Sequence, residues 1–263
     1  MSLSNKVVII TGAGSGIGEA IALHFAGLSA KLYLIDKDKE NLYKVAEKCE
    51  NSNTSKIMKA VIDVSNDDDL KTSIQSVIQV FHRIDVLINC AGIGVTGSIM
   101  DPEFLNDFDK MMSINLRAIV AAIHFAAPSL IENRGCIINI SSVLCTLTMY
   151  TTTAYSTSKA AVTHLTKCVA MELAEHGVRV NCISPGPVDT NLMINSGKTP
   201  EEIKFLQNMM LKQSPLKRMV KVEDVVEMAG LLASDKATSI TGANMFIDSG
   251  FAVASSLRLP ENF

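Results

Sequence analysis

The sequence predicts an α/β chain: a doubly wound, mostly parallel seven-stranded sheet with helices on both faces. Three observations predict it. Short β-branched apolar runs alternate with helix-period segments along nearly the whole length. The runs show little polar alternation, as expected of strands buried on both faces, which belong to parallel sheets covered by helices. The strand–helix order repeats, and right-handed crossovers wind such a repeat into a two-faced sheet.

In chain order, Lys6–Thr11 reads as a strand and Gly16–Leu28 as a helix. Lys31–Asp36 is a strand and Asp38–Glu50 a charged amphipathic helix. Ile57–Asp63 is a strand, followed by the helix Asp67–Phe81 and the strand Val86–Asn89. Met111–Glu132 reads as a long helix, Cys136–Ser141 as a strand, Tyr155–His176 as a helix and Val178–Ser184 as a strand. A short helix over Glu201–Leu211, the helix Val222–Ala233 and the strand Ala243–Asp248 complete the pattern. No linker or low-complexity tract interrupts it, so residues 1–263 are expected to form one domain. The stretch 187–216 is expected to be an active-site lid, because long inserts of this kind often are.

Composition narrows the function. The chain has 263 residues, 48% apolar and 19% charged, with 24 Lys plus Arg against 27 Asp plus Glu and a net charge of −3. A near-neutral chain without a basic run has no electrostatic footprint for nucleic acid. The longest uninterrupted apolar run, Ala118–Ile123, is far short of the ~20 residues of a membrane span, so no transmembrane segment is expected. The start lacks a signal-peptide core, and the six cysteines include no CxxC pair. Reduced thiols and a cytoplasmic location are the expectation. The five histidines are scattered without ligand spacing, so no metal site is expected. No GxSxG elbow points to an esterase.

Chemistry concentrates at the carboxyl ends of the strands, where open α/β sheets bind ligands. Thr11-Gly12-Ala13-Gly14-Ser15-Gly16-Ile17-Gly18 joins the first strand to the first helix. Glycines there let a pyrophosphate approach the helix N-terminus, whose N–H groups and dipole favour an anion. Asp36 ends the second strand and can accept both hydroxyls of an adenosine ribose while repelling a 2′-phosphate, which favours NAD over NADP. Ser15 puts no basic group in the turn, although Lys37 or Lys39 could reach a phosphate. A helix cap or turn role for Asp36 stays open.

Tyr155 and Lys159 stand at i, i+4 on one predicted helix face. A nearby ammonium favours the phenolate and lowers a tyrosine's pKa, making it a proton exchanger for an alcohol or carbonyl. By spacing alone the two also fit an ordinary surface pair.

The whole set resembles the short-chain dehydrogenase/reductase family, single-domain and Rossmann-type. The resemblance runs from Lys6 to Gly250. It rests on the glycine turn, Asn89-Cys90-Ala91-Gly92, Asn115, Ser142, Tyr155-x-x-x-Lys159 and Pro185-Gly186. It implies hydride transfer between a nicotinamide cofactor and a secondary alcohol or ketone. Tyr155 would be the general acid/base. Lys159 would lower its pKa and bond the nicotinamide ribose, Ser142 would hold the substrate oxygen, and Asn115 would position Lys159 and a relay water. Adjacent strand residues point to opposite faces, so Ser141 and Ser142 cannot both serve, and the family spacing selects Ser142. The resemblance further implies cofactor contacts from Gly12, Gly14, Ser15, Gly16, Ile17, Gly18, Asp36, Lys37, Asp63, Val64, Asn89, Ala91, Gly92, Pro185, Gly186, Val188 and Thr190. Cys90 stands where the family often has a second Asn, and is expected to pack inward. Family members are usually dimers or tetramers, and a homotetramer is expected here.

Candidate pocket walls are Ile93–Ser98, Val143–Thr148 with Leu144, Tyr150, Val188 and the lid. The lid's Leu192, Met193, Ile194, Phe205, Met209 and Met210 lean towards a lipophilic substrate of steroid, retinoid or hydroxyacyl type, although these side chains also suit packing within the lid. Two other readings compete. Asp36 argues against an NADP-dependent 3-oxoacyl reductase, and the intact Asn115, Ser142, Tyr155 and Lys159 argue against a non-catalytic nucleotide-binding scaffold.

Overall fold

The computed structural model describes residues 3–52, 56–188 and 199–254. Its strands are β1 (Val7–Thr11), β2 (Lys31–Asp36), β3 (Lys56–Val61), β4 (Val86–Asn89), β5 (Cys136–Ile140), β6 (Arg179–Pro185) and β7 (Asn244–Ile247). They form one parallel sheet in the order β3-β2-β1-β4-β5-β6-β7. The winding direction reverses between β1 and β4, so the crevice beyond their carboxyl ends is the topological switch point.

The helices are α1 (Gly16–Gly27), α2 (Lys39–Glu50), α3 (Asp67–Phe81), α4 (Phe104–Met112), α5 (Ala118–Glu132), α6 (Thr153–Leu173), α7 (Pro200–Gln213) and α8 (Val222–Ala233). Alternation along the strands sorts the core into two layers. Val8 and Ile10 of β1 face α1, α2 and α8, whereas Val7 and Ile9 face α3, α5 and α6. Each fully buried Val, Leu or Ile contributes about 1.5–3 kcal/mol relative to exposure, and both layers are continuous across the sheet.

Three boundaries differ from the sequence-based expectation in ways that matter to the site. The strand expected to reach Asp63 stops at Val61, which leaves Asp63 exposed and Val64 buried in the loop beyond it. The helix carrying Tyr155 begins at Thr153, so Tyr155 lies in its first turn. The helix expected from Met111 begins at Phe104 and continues through a π-helical turn, Ser113–Arg117, into α5. At 29 residues, Phe104–Glu132 is long and apolar enough to cross a membrane by length and composition alone. In this fold 56% of its most apolar window is buried, and Ala118, Ile119, Ala122, Ala126 and Leu130 pack into the second core layer. It is a core helix here.

The end of the sheet away from the crevice is held by one buried carboxylate. Asp85 Oδ2 accepts the Val7 N–H at 2.8 Å and Arg83 Nε at 2.8 Å, and its Oδ1 accepts Arg83 Nη2 at 2.6 Å. Removing it strands a buried N–H and a guanidinium. Asp85→Ala is expected to cost about 1–3 kcal/mol of stability, the scale of a buried N–H left without its acceptor, while leaving the catalytic constants of the folded fraction unchanged. Chemical denaturation paired with turnover tests both halves of that expectation.

Candidate active site

The glycine turn leaves a cradle that only glycine permits. Gly12 has φ +68°, and a Cβ there would lie 2.7 Å from the Ala91 backbone. At Gly18 a Cβ would lie 2.0 Å from the Gly12 carbonyl oxygen. Ser15 is the N-cap of α1 but makes no side-chain capping bond, so the first-turn N–H groups of Gly16, Ile17 and Gly18 are not consumed by it. That opening is the chemistry a pyrophosphate needs, and the residues present fit a dinucleotide.

Asp36 stands directly beside the cradle. Its Oδ2 accepts the Gly14 N–H at 2.8 Å and its Oδ1 accepts the Asp38 N–H at 2.9 Å. The turn role left open for Asp36 is therefore real. Each carboxylate oxygen retains acceptor capacity for a ribose hydroxyl. Lys39 lies 5.9 Å from the centre of the Tyr43 ring. The charge of Lys37 acts on Asp63, whose carboxyl is held low chiefly by the Ser65 hydroxyl and N–H.

Beyond β4, Thr11 Oγ1 accepts the N–H groups of Cys90 and Ala91 at 3.1 and 3.2 Å, pinning that loop to the glycine turn. Asn89 Nδ2 donates to Asn139 Oδ1 at 2.8 Å, and Asn139 Nδ2 donates to Thr166 Oγ1 at 3.0 Å. Cys90 packs against the first core layer, with burial pushing its thiol up to about 12. On the other side, Pro185 ends β6, and a Cβ at Gly186 would lie 2.7 Å from Asp248 Cα. Val188 is buried and bridges to Val220. Thr190 lies outside the described residues, as do Leu192, Met193 and Ile194.

The end of β5 is fastened to α6 at two successive residues. Lys159 Nζ donates to the Ile140 carbonyl at 2.9 Å. Ser141 Oγ donates to the Lys159 carbonyl at 3.0 Å and meets Thr163 Oγ1 at 2.9 Å. The Ser142 hydroxyl acts on Tyr155, lowering it. Strand alternation turns Ser141 into the helix and leaves Ser142 on the open side. Ser142 Oγ also accepts the Leu144 N–H at 3.2 Å, capping the short turn Val143–Cys145, and Leu144 is half-buried.

Lys159 Nζ lies 5.7 Å from the centre of the Tyr155 ring, so the i, i+4 pair faces inward and is not a surface pair. Burial depresses Lys159 to about 8. Burial also raises Tyr155, and outweighs the Ser142 hydroxyl that lowers it. The expected lowering by Lys159 is not among the causes of that shift.

Asn115 differs as well. It sits fully buried in the π-turn, a geometry frequent at functional sites. Its Oδ1 accepts the Ile93 N–H at 2.8 Å, and its Nδ2 donates to the Ile93 carbonyl at 3.0 Å and to Ser158 Oγ at 3.1 Å. Its amide holds the Ile93 loop and makes no bond to Lys159. Ser158 passes the connection on by donating to the Tyr155 carbonyl at 2.7 Å. Gly92 fits between the two groups, since a Cβ there would lie 3.3 Å from Asn115 Oδ1 and 3.5 Å from Lys159 Nζ. Sequence reasoning passed over Asn139, Ser158 and Thr166, and gave Thr11 no role beyond opening the glycine turn. The available signal was a polar residue inside an otherwise apolar strand, as at Asn139 in Cys136-Ile137-Ile138-Asn139-Ile140. Among the described residues no cluster suits a metal ion.

A buried lysine, a tyrosine and a serine hydroxyl beside a dinucleotide cradle can move a proton to or from an alcohol oxygen. Known proteins agree with that chemistry. The family model described as enoyl-(acyl carrier protein) reductase matches residues 12–252. The chain is 35% identical to the meso-2,3-butanediol dehydrogenase of Serratia marcescens, over 95% of this chain and 96% of that one. It is 35% identical to a 3-oxoacyl-acyl-carrier-protein reductase of Thermotoga maritima, over 96% of this chain and all of that one. The crystal structure of the 3-ketoacyl-acyl-carrier-protein reductase of Brucella melitensis, complexed with NADH, superimposes with a TM-score of 0.84 at 29% identity, covering 95% of this chain and 100% of that one. Fold, site chemistry and relatives thus converge: the chain belongs to the short-chain dehydrogenase/reductase family and is an NAD(P)-dependent alcohol dehydrogenase/ketone reductase.

Proposed function

We propose that the enzyme interconverts a lipophilic secondary alcohol and its ketone with NAD as the preferred cofactor, and that Tyr155 is the general acid/base. The observation that carries the reading is the fastening of α6 to the end of β5 through Lys159, which brings Tyr155 of the same helix to the strand end that Ser142 follows. Bound nicotinamide supplies or accepts the hydride. Ser142 holds the substrate oxygen and Tyr155 exchanges its proton. Lys159, on the same helix face, stabilises the phenolate and reaches a ribose hydroxyl, while Asn115 keeps the Ile93 wall in place. The glycine turn takes the pyrophosphate, Asp36 and Lys37 the adenosine ribose, and Asp63 and Val64 the adenine. Asn89, Ala91, Gly92, Pro185, Gly186, Val188 and Thr190 line the nicotinamide half.

The preference for NAD is supported by the carboxylate of Asp36 facing the cradle through Gly14. A lipophilic substrate of steroid, retinoid or hydroxyacyl type is supported by Leu144 and by the insert 187–216, where Phe205 of α7 is 69% exposed. A homo-oligomer, dimer or tetramer, is supported by exposed Val120 on α5, Met171 on α6 and Phe246 on the edge strand β7. A cytoplasmic location is supported by six free cysteines.

Three measurements test this reading. Tyr155→Phe is expected to retain NADH affinity and lose at least about 100-fold in turnover, the lower end of general acid/base contributions. Residual wild-type turnover would remove Tyr155 from the role. In side-by-side fluorescence titrations, NADH is expected to bind at least about tenfold tighter than NADPH, roughly 1.4 kcal/mol. Asp36→Asn, which keeps the shape and one acceptor oxygen, should narrow that gap, and equal affinities in the wild type would refute the preference. The third concerns Lys159. Its folded value of about 8 lies below the usual lysine value of 10.5, so between these pH values the unfolded chain binds more protons. Stability from this residue therefore rises with pH across that window, by an amount of order 3 kcal/mol. Lys159→Met should be more stable than the wild type near pH 7.5, with the difference shrinking by pH 9.5, when unfolding free energies are compared. A constant difference would contradict the burial cost.

A further inference from the structure

A group of polar contacts behind Ser142 takes no part in the chemistry described above. Thr11, Asn89, Asn139, Cys182 and Asn244 are successive partners in one row across the sheet. Asn244, at the far end of that row, uses both ends of its amide. Its Oδ1 accepts the Ser184 hydroxyl at 2.6 Å and the Cys182 thiol at 3.2 Å, and its Nδ2 donates to Cys145 Sγ at 3.5 Å. Ser184 Oγ also lies 3.6 Å from that sulfur. These contacts fix the amide orientation, since the hydroxyl and the thiol both need the acceptor end.

Cys145 closes the three-residue turn that Ser142 opens. Leu144 N–H meets Ser142 Oγ at 3.2 Å and Cys145 N–H meets the Ser142 carbonyl at 2.9 Å. A single 3-10 turn has poor hydrogen-bond geometry of its own, so outside contacts set its position. Ser142 anchors one end and Asn244 the other. The turn also packs against α6, the helix that carries Tyr155.

We infer that Asn244 and Cys145 are a positioning pair: Asn244 holds the Cys145 side chain, and through the turn this keeps the Ser142 hydroxyl aligned with Tyr155. Neither residue touches the reacting atoms. The inference rests on the reading of Ser142 and Tyr155 as the reacting hydroxyls. A displacement of 1 Å at a reacting group can cost about 100-fold. The sulfur contact is weak and Ser142 keeps its bond to Leu144, so the expected loss is smaller, about tenfold.

The test is a double-mutant cycle on the full chain, with NADH and the activated diketone 9,10-phenanthrenequinone as the probe substrate. Asn244→Leu is expected to lower kcat about tenfold, with KM and NADH affinity within about twofold. In a Ser142→Ala background the same change should cost nothing further, because the pair acts only through that hydroxyl. Cys145→Ala should reproduce the loss, and Cys145→Ser, which keeps an acceptor, should recover most of it. If Asn244→Leu fails to fold, the Cys145 variants run the same cycle. Losses that multiply in the two backgrounds would overturn the inference, as would a wild-type kcat in Asn244→Leu. Wild-type turnover in Ser142→Ala alone would instead strike the catalytic reading of Ser142, and it is read before the pair is compared.

Discussion

The bond from Lys159 Nζ to the Ile140 carbonyl is the constraint on which the site depends. A lysine as buried as this one is tolerated only if its ammonium finds an acceptor. The acceptor available is the last carbonyl of β5, and taking it fixes the distance and rotation of α6 against the sheet. The next two residues then have no freedom left. Ser141 must point into the helix, where it donates to the Lys159 carbonyl, and Ser142 is left on the open side of the strand end. One ion–dipole contact thus converts the two-residue period of a strand into the placement of the reacting hydroxyls.

The same end of the sheet is unusually polar inside. Asn89, Asn139 and Thr166 form a buried chain of hydrogen bonds from β4 through β5 to α6. Thr11 holds the loop after β4, and Asn115 and Ser158 join that loop to the backbone of Tyr155. Among the described residues no buried side-chain nitrogen or oxygen lacks a partner. A fully satisfied network of this kind adds rigidity and specificity, whereas losing one member exposes the full desolvation penalty of the next. The asparagines tie β4, β5 and α6 together and so contribute orientation of the crevice wall.

The fold was legible because its signals are local. Apolar runs, their spacing and the glycine turn are all contained in windows of a few residues, and strand β4 and helix α8 fall at the expected boundaries. The start of α4 was not, because a π-turn at Ser113–Arg117 breaks the helical period that links Phe104 to Ala118. At the site, the residue types and the faces of Tyr155 and Lys159 were legible, but their partners were not. Asn89 meets Asn139 fifty positions away, and Asn115 meets Ser158 across 43. No spacing rule contains such pairings, since they arise only once the sheet order brings three elements together. The direction of the Tyr155 shift failed for a related reason, because burial is a property of the packed molecule and sequence shows only the neighbouring charge.

That shift does not weaken the tyrosine as a proton carrier. Burial moves the two groups in opposite directions, Lys159 down to about 8 and Tyr155 up, so the first proton to leave the pair comes off near pH 8. The remaining state is net neutral and has one proton shared between an amine and a phenol. Interacting sites titrate as a unit, and the apparent value belongs to the pair rather than to either residue. With that proton on Lys159 the site holds an ammonium and a phenolate, and with it on Tyr155 it holds two neutral groups. Burial favours the two neutral groups, since it lowers Lys159 and raises Tyr155. A neutral phenol is the form that gives a proton to a carbonyl oxygen, so the pair in this state is set for the ketone-reducing direction.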